Sequence, residues 1–436
     1  MLKKNDPKTI NAWAMYDWAN SVYALVIAAA IFPAYYNEVT SSGGSSKVFL
    51  FGMQIENTAI YSITLGISFG IVALISPLLS SVADYAGNHK SFMKFFCYTG
   101  AAACSALFFF DGTNLVFGLS CLMLATIGYS GSIVYYNGYL PAIADDDMQD
   151  KVSAKGYAFG YIGASTLLIL NLVFILNQKS LGIEDGTLLP RIAFVTTGIW
   201  WFIFAQFTFR KLPDSIYHEK KQRNHPVFHG YQELQKVWRK IKRISVLKIF
   251  LFSFFFYIMG VQTVMFMAPS FAEKEIAGIG TEQLIVTVLI LEYIGMMGAI
   301  GFARISGRIG NINAILIAIT VWVFICAGSY FIQIPFHFYI AAIFIGMVMG
   351  GIQTLSRSTY SKIIPKTENN AGFFGFYDVC EKTAMMIGLV LFGYLDNLTG
   401  SMRNSIIMLG LFFLIGLILM LRMKSLSREN SKQDVV

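Results

Sequence analysis

Three features of this chain predict an all-α membrane protein of twelve transmembrane helices in two six-helix bundles. Apolar residues fill 56% of its 436 positions and charged ones only 13%, too little polar surface to coat a soluble globule of that length. Twelve apolar stretches run to about 20 residues each, enough for a helix to cross a hydrocarbon core roughly 30 Å thick. They fall six on each side of one long basic segment, Arg210 to Lys248.

The first bundle, residues 1–209, has spans at Trp13–Tyr36, Thr58–Ala83, Phe92–Phe110, Asn114–Tyr139, Tyr157–Leu176 and Arg191–Phe209. A linker, 210–245, leads to the second bundle, 246–423. Its spans are Val246–Ala268, Gln283–Ala303, Ile312–Ile332, Phe338–Ile363, Phe374–Leu395 and Ile406–Met423, and a tail, 424–436, follows. Each span is read as helix because backbone groups in lipid must bond within their own segment.

Lys and Arg set the orientation. Of 33 basic residues, eleven lie between Arg210 and Lys248, and most others sit in the tails or in alternate loops (Lys90 and Lys94, Lys151 and Lys155, Arg304 and Arg308, Arg357, Lys362 and Lys366). The opposite loops hold Lys47, Lys179, Arg191, Lys274 and Arg403. Both termini are therefore expected in the cytoplasm, in a cell (inner) membrane protein. The net charge of +8 reports topology rather than nucleic-acid binding, because it is spread over loops.

No small-residue cleavage site follows the charged N-terminus, so no removable signal peptide is expected. All five cysteines fall inside apolar spans without paired spacing, which supports neither a disulfide framework nor a metal site. In the linker, Leu234, Val237, Trp238 and Ile241 recur at helical spacing opposite basic residues, as expected of an amphipathic helix on the membrane surface.

The two halves carry traces of a repeat. Ala83-Asp84-Tyr85-Ala86-Gly87-Asn88-His89-Lys90 follows the second span and Ser306-Gly307-Arg308-Ile309-Gly310-Asn311 follows the eighth. Both resemble the short cytoplasmic loop motif of the major facilitator superfamily, with Ser80 and Ala303 where its first glycine is expected and Gly307 in place of an aspartate. The resemblance implies a charge latch at Asp84, and Arg308 has lost the acidic neighbour that would make a second one.

Further segments resemble one subfamily. They are Trp13-Ala-Met-Tyr-Asp-Trp-Ala-Asn-Ser-Val-Tyr-Ala, Tyr136-Asn-Gly-Tyr-Leu-Pro-Ala-Ile-Ala, Lys155-Gly-Tyr-Ala-Phe-Gly-Tyr-Ile-Gly, Gly260-Val-Gln-Thr, Gly351-Ile-Gln-Thr-Leu-Ser-Arg-Ser-Thr-Tyr-Ser-Lys-Ile-Ile-Pro and Gly372-Phe-Phe-Gly-Phe-Tyr. In order along the whole chain they look like the vacuolar amino-acid effluxer-like family. That resemblance implies a carrier; its fungal branch is associated with releasing amino acids from the vacuole.

Ionisable residues inside spans cost about 2.5–3.5 kcal/mol each on insertion scales, so each is a functional candidate. Asp17 forms a polar stripe with Asn20 and Ser21, a substrate or gate contact or else a structural network. Asp378, Glu381 and Lys382 share one face at i, i+3 and i+4, so Lys382 can pair with Asp378 along its helix or reach Asp17 across the bundles as a gate. Glu292, the most isolated charge, is the candidate for proton coupling; the rival is a Glu held across a helix interface. Tyr136, Asn137, Gln262, Thr263 and Gln353 belong to helices that line the central cavity in the fold the resemblance implies. Arg357, near its span's end, is either a snorkelling anchor or a substrate contact.

Glycines at Gly156 and Gly160, at Gly346 and Gly350, and at Gly295, Gly298 and Gly301 permit close helix approach. No G-x-x-x-x-G-K-[ST], H-E-x-x-H or catalytic Cys/His grouping occurs, so ATP-driven transport through this chain and enzymatic chemistry are not expected. The expected protein is a monomeric secondary transporter without a cofactor, moving a small polar solute, amino acids or else a sugar or vitamin, with protons as a candidate coupling ion. A non-transporting membrane receptor is the alternative from another class.

Overall fold

The computed structural model describes residues 4–40, 47–50, 53–86, 88–214, 226–276, 278–279, 281–365, 370–399 and 401–433. The first bundle consists of α1 (Pro7–Thr40), α2 (Asn57–Ala86), α3 (His89–Phe109), α4 (Leu115–Ile143), α5 (Gln149–Leu176) and α6 (Leu188–Lys211). After the linker helix α7 (Pro226–Arg243) come α8 (Ser245–Glu275), α9 (Thr281–Ile309), α10 (Asn311–Phe331), α11 (Pro335–Ile363), α12 (Asn370–Thr399) and α13 (Met402–Gln433). Ten of these are long and apolar enough to span a membrane among the described residues, and α2 and α12 complete the predicted twelve. An even number of crossings puts both termini on one side, called here the terminal face.

Local chemistry sets the helix ends. Asp6 caps α1 by accepting from the Thr9 N–H at 2.9 Å, and Pro7 occupies the first turn, where its missing N–H costs nothing. Asn114 caps α4 by accepting from the Phe117 N–H at 3.0 Å. Gly310 turns the chain from α9 into α10 at φ +82°, a conformation that a side chain would strain. Midway along α1, Tyr23–Ala30 winds as a π-helix, a geometry frequent at functional sites.

Large apolar side chains point outward along the spans: Leu74 is 82% exposed and Phe331 74%. Such a surface is suited to lipid and unsuited to water. Inside, one core collects residues from Ile10 to Leu212 and another residues from Val237 to Met423. Met385 packs into the first core while Ala154 and Tyr161 pack into the second, so α12 and α5 knit the two together.

Two features depart from expectation. Between α1 and α2 the chain forms a hairpin, β1 (Lys47–Leu50) against β2 (Met53–Glu56), antiparallel with Val48 opposite Ile55. Outside lipid, strand pairing satisfies the backbone of this β-branched and aromatic stretch as well as a helix would. The linker helix is longer than its periodic stripe, and that stripe covers protein. Val237 and Ile241 are buried, and the Trp238 ring stacks on Phe376 of α12 at 5.5 Å. The side chain of Leu234 lies outside the described residues.

Candidate functional site

The best-defined polar cluster joins the two bundles near the terminal face. Arg357 of α11 is buried at 2% exposure, and its guanidinium reaches three helices of the other half. Its Nε donates to Ser153 Oγ at 2.9 Å and its Nη2 to the Ser153 carbonyl at 2.7 Å, both on α5. Its Nη1 donates to Asp17 Oδ2 on α1 and to Asn137 Oδ1 on α4, each at 3.4 Å. The flat cation lies among the rings of Tyr157 at 4.1 Å, Trp13 at 4.9 Å and Tyr136 at 5.6 Å. Arginine suits this place because its fork and its weakly hydrated faces can be satisfied at once.

Asp17 is held from its own half as well. Tyr136 donates to Asp17 Oδ2 at 2.7 Å, and Trp13 stacks on Tyr136 at 4.3 Å while its Nε1 donates to the Tyr136 carbonyl. Gly156 is required here: a Cβ on it would sit 2.5 Å from Asp17 Oδ2 and 2.9 Å from Arg357 Nη2. The seam continues as Ser153 Oγ donates to the Thr354 carbonyl at 3.0 Å.

A second junction lies closer to the helix ends. Asp150, in the first turn of α5, pairs with Lys362 of α11 at 2.7 Å. It also accepts from Ser306 Oγ at 2.9 Å and from Asn311 Nδ2 at 2.7 Å. Lys362 in turn donates to Asn311 Oδ1 at 3.1 Å. One buried carboxylate from the first bundle thus gathers three groups of the second, charge-assisted bonds among them.

Above this seam is a cavity of about 210 Å³ lined by residues of both halves, among them Asp17, Asn137, Tyr157, Tyr161, Gln262, Glu292, Gln353, Arg357, Glu381 and Lys382. Tyr161 donates to Gln353 Oε1 at 2.8 Å, bridging α5 and α11. Gln262 donates to Glu381 Oε1 at 2.7 Å. Lys382 stands 3.7 Å from Glu381 and 3.9 Å from Asp378, and Asp378 accepts from Ser76 of the other half at 3.1 Å. Among the described residues no group of His, Cys, Asp and Glu is placed to hold a metal.

Comparison with known proteins follows the same lines. A family model described as "Vacuole effluxer Atg22 like" matches residues 5–434. The chain belongs to that family. A Bacillus subtilis MFS-type transporter, YxiO, is 29% identical over 96% of this chain and 95% of its own length. Autophagy-related protein 22-1 of Phaeosphaeria nodorum is 24% identical over 94% and 88%. Among solved structures, the proton:xylose symporter XylE superposes with a TM-score of 0.70 over 95% of each chain. The E. coli fucose:proton symporter FucP does so at 0.68 over 95% of this chain and 97% of its own. Both are 12% identical and speak for the fold alone. This Atg22-like chain is therefore a multi-pass membrane protein with the fold of an MFS-type transporter.

Its geometry corrects several expectations. The cation paired with Asp17 is Arg357, not Lys382, because Lys382 is drawn to the two acids of its own helix. Arg357 is not a snorkelling anchor, since its head group is fully engaged between the bundles. The acid missing from the second loop motif is supplied across the seam: Asp150 takes Ser306 and Asn311, whereas Arg308 is exposed. Asn20 and Tyr136 are buried behind the cavity wall, which their neighbours Ser21 and Asn137 line. Asp378 likewise backs the wall. The side chain of Asp84 lies outside the described residues.

Asp150, Ser153 and Tyr157 carry the seam in this Atg22-like protein without having stood out in the sequence. Asp150 closes an acidic stretch, Asp145-Asp146-Asp147-Met148-Gln149-Asp150, that reads as a solvated loop. Its one available signal was its position in the first turn of a span, where an acid is stabilised by the helix dipole and can be carried into an interface.

Proposed function

We propose that this chain is a secondary active transporter that moves a small polar solute by alternating access, with amino acids exported and protons as the coupling ion. One observation carries the reading: a polar cavity shared by both bundles is sealed at the terminal face by bonds that cross from one bundle to the other. Arg357, Asp17 and Ser153 form the inner layer of that seal, and Asp150, Lys362, Ser306 and Asn311 the outer one. Rocking one bundle against the other breaks such contacts and leaves each bundle's own core intact. Asp17, Asn137, Gln262 and Gln353 then offer polar contacts to the solute, and Glu381 and Lys382 border its path. Amino acids enter through the resemblance to the effluxer family. The basic loops assign the terminal face to the cytoplasm of a cell membrane, and a path formed between a chain's own two halves calls for no second copy.

Reconstitution tests the reading. Purified protein in liposomes should exchange labelled amino acids across the bilayer, and an imposed pH gradient should drive their accumulation. A thermal-shift screen against amino acids, sugars and vitamins should show a rise in melting temperature for solutes that bind the folded state. A response confined to sugars or vitamins would discard the amino-acid assignment. Absence of flux for every solute, in protein shown to be folded, would discard the carrier.

A further inference from the structure

The cations of the cavity are already engaged. Arg357 is shared by Asp17, Asn137 and Ser153, and Lys382 lies between Asp378 and Glu381. Glu292 of α9 is treated differently. Among the described residues its carboxylate has neither a hydrogen bond nor an ion pair, and it is half-buried in the wall. It borders both the central cavity and a second one of about 80 Å³, whose lining includes Ala29, Val264, Thr287 and Phe338. Thr287 precedes Glu292 on α9 toward the face opposite the termini, so Glu292 stands where the central cavity meets the space leading away from the seal.

A carboxylate in an apolar wall needs a proton or a cation, since leaving it charged and unpaired is costly. Around it, Tyr161 of α5 leans against Gly295, where a Cβ would lie 3.1 Å from its ring, and its hydroxyl is spent on Gln353. Tyr129, Tyr157 and Tyr377 add further rings to the same cavity, and aromatic faces attract cations. The remaining charged groups on the cavity are Asp17, Arg357, Glu381 and Lys382.

We propose that Glu292 receives the cationic nitrogen of the transported solute, while in the state sealed at the terminal face a carboxylate on that solute meets no free cation, so the amine is the group recognised. The proposal rests on the carrier reading and revises its substrate from amino acids to amines. Of two solutes with the same side chain, one with only the amine is preferred over the amino acid. A cavity of about 210 Å³ holds the volume of about seven waters at roughly 30 Å³ each, which suits a metabolite of leucine's size.

The test uses the full chain in liposomes and three probes that share leucine's isobutyl side chain: isopentylamine, leucine and 4-methylpentanoate. Wild-type protein should exchange isopentylamine at about tenfold or more lower concentration than leucine, the scale of one charged contact, and should ignore 4-methylpentanoate. Glu292→Gln should lose the amine response by about tenfold or more, and Glu292→Asp should keep part of it. Leucine preferred over isopentylamine, or an amine response untouched in Glu292→Gln, overturns the assignment while the carrier reading stands. Flux of sugars alone overturns it too. Absence of any flux removes both readings together. Where Glu292→Gln fails to fold, the ranking of the three probes on wild-type protein decides.

Discussion

Asp150 at the terminal face and Glu292 in the cavity wall are both carboxylates on helices that meet the opposite bundle, and they are handled in opposite ways. Asp150 is paired with Lys362 and accepts from Ser306 and Asn311. Glu292 has no such company among the described residues and looks into open space. The contrast separates two uses of a buried charge. Where both carboxylate oxygens are engaged by the partner bundle, the charge holds the halves together; where the protein leaves both unengaged, a solute or a proton can complete the site.

The strongest way to break this contrast is at Arg357. Arg357→Ala strands Asp17 in a buried seam, and removing one partner of a buried pair costs on the order of 3–5 kcal/mol. Transport in liposomes should fall to background. Arg357→Lys should rescue little of it, because an ammonium cannot serve Ser153, Asp17 and three rings at once. Wild-type flux in Arg357→Ala would mean that the seam takes no part in the cycle.

A salt bridge that lies within one bundle sharpens the point. Arg403 donates to Glu275 Oε2 at 2.9 Å and to the carbonyls of Glu275, Ser329, Tyr330 and Ile332, tying the ends of α8, α10 and α13. Arg403→Ala should also cost on the order of 3–5 kcal/mol. It should lower the melting temperature yet leave the flux per folded molecule near wild type, since these contacts persist while the bundles rock. An equal loss of flux and stability would erase the distinction between contacts within and between bundles.

A smaller effect is expected at the outer layer of the seal. A double-mutant cycle on Asp150→Asn and Lys362→Ala should give a coupling of about 1–3 kcal/mol. Each single variant should raise the labelling of a Thr354→Cys probe from the terminal side, because Thr354 is fully buried beneath that layer. Unchanged labelling would assign Asp150 to static packing.

Much of the architecture was legible because lipid leaves a helix few alternatives: about 20 apolar residues suffice to mark a span. Even α12, which carries Asp378, Glu381 and Lys382, could be placed this way. Candidate site residues were legible one by one, since a charge within a span is conspicuous. Their pairing was not. Asp17 and Arg357 are 340 residues apart, and the local partner of Lys382 competes with any distant one. Asp150 was hidden for the opposite reason, being polar where polar residues are ordinary. The hairpin at Lys47–Glu56 escaped because alternation over so short a stretch carries little signal beside the spans around it.

The smallest expected effect concerns acid and reads the Glu275 and Arg403 pair a second way. Burial pushes the Glu275 carboxyl up, but hydrogen bonds from Ser401, the Met402 N–H and Arg403, together with the charge of Arg403, outweigh it and hold the group below its ordinary 4.5. A group lowered by folding adds stability above its unfolded value and loses it as pH falls through the folded one. The melting temperature of wild-type protein should therefore decline from about pH 4.5 downward, and Glu275→Gln should show a shallower decline from a lower starting point. Asp6, Asp111 and Asp185 are also held low, each first by the hydrogen bond it accepts from the hydroxyl of a threonine two or three residues on. Those turns lie apart from Glu275 and are the same in both proteins, so they leave a common slope, and the difference between the two curves isolates Glu275. Identical slopes would show that its pairing is as complete in the unfolded chain as in the folded one, and would reduce the Arg403 effect to the four bonds from the guanidinium to carbonyls.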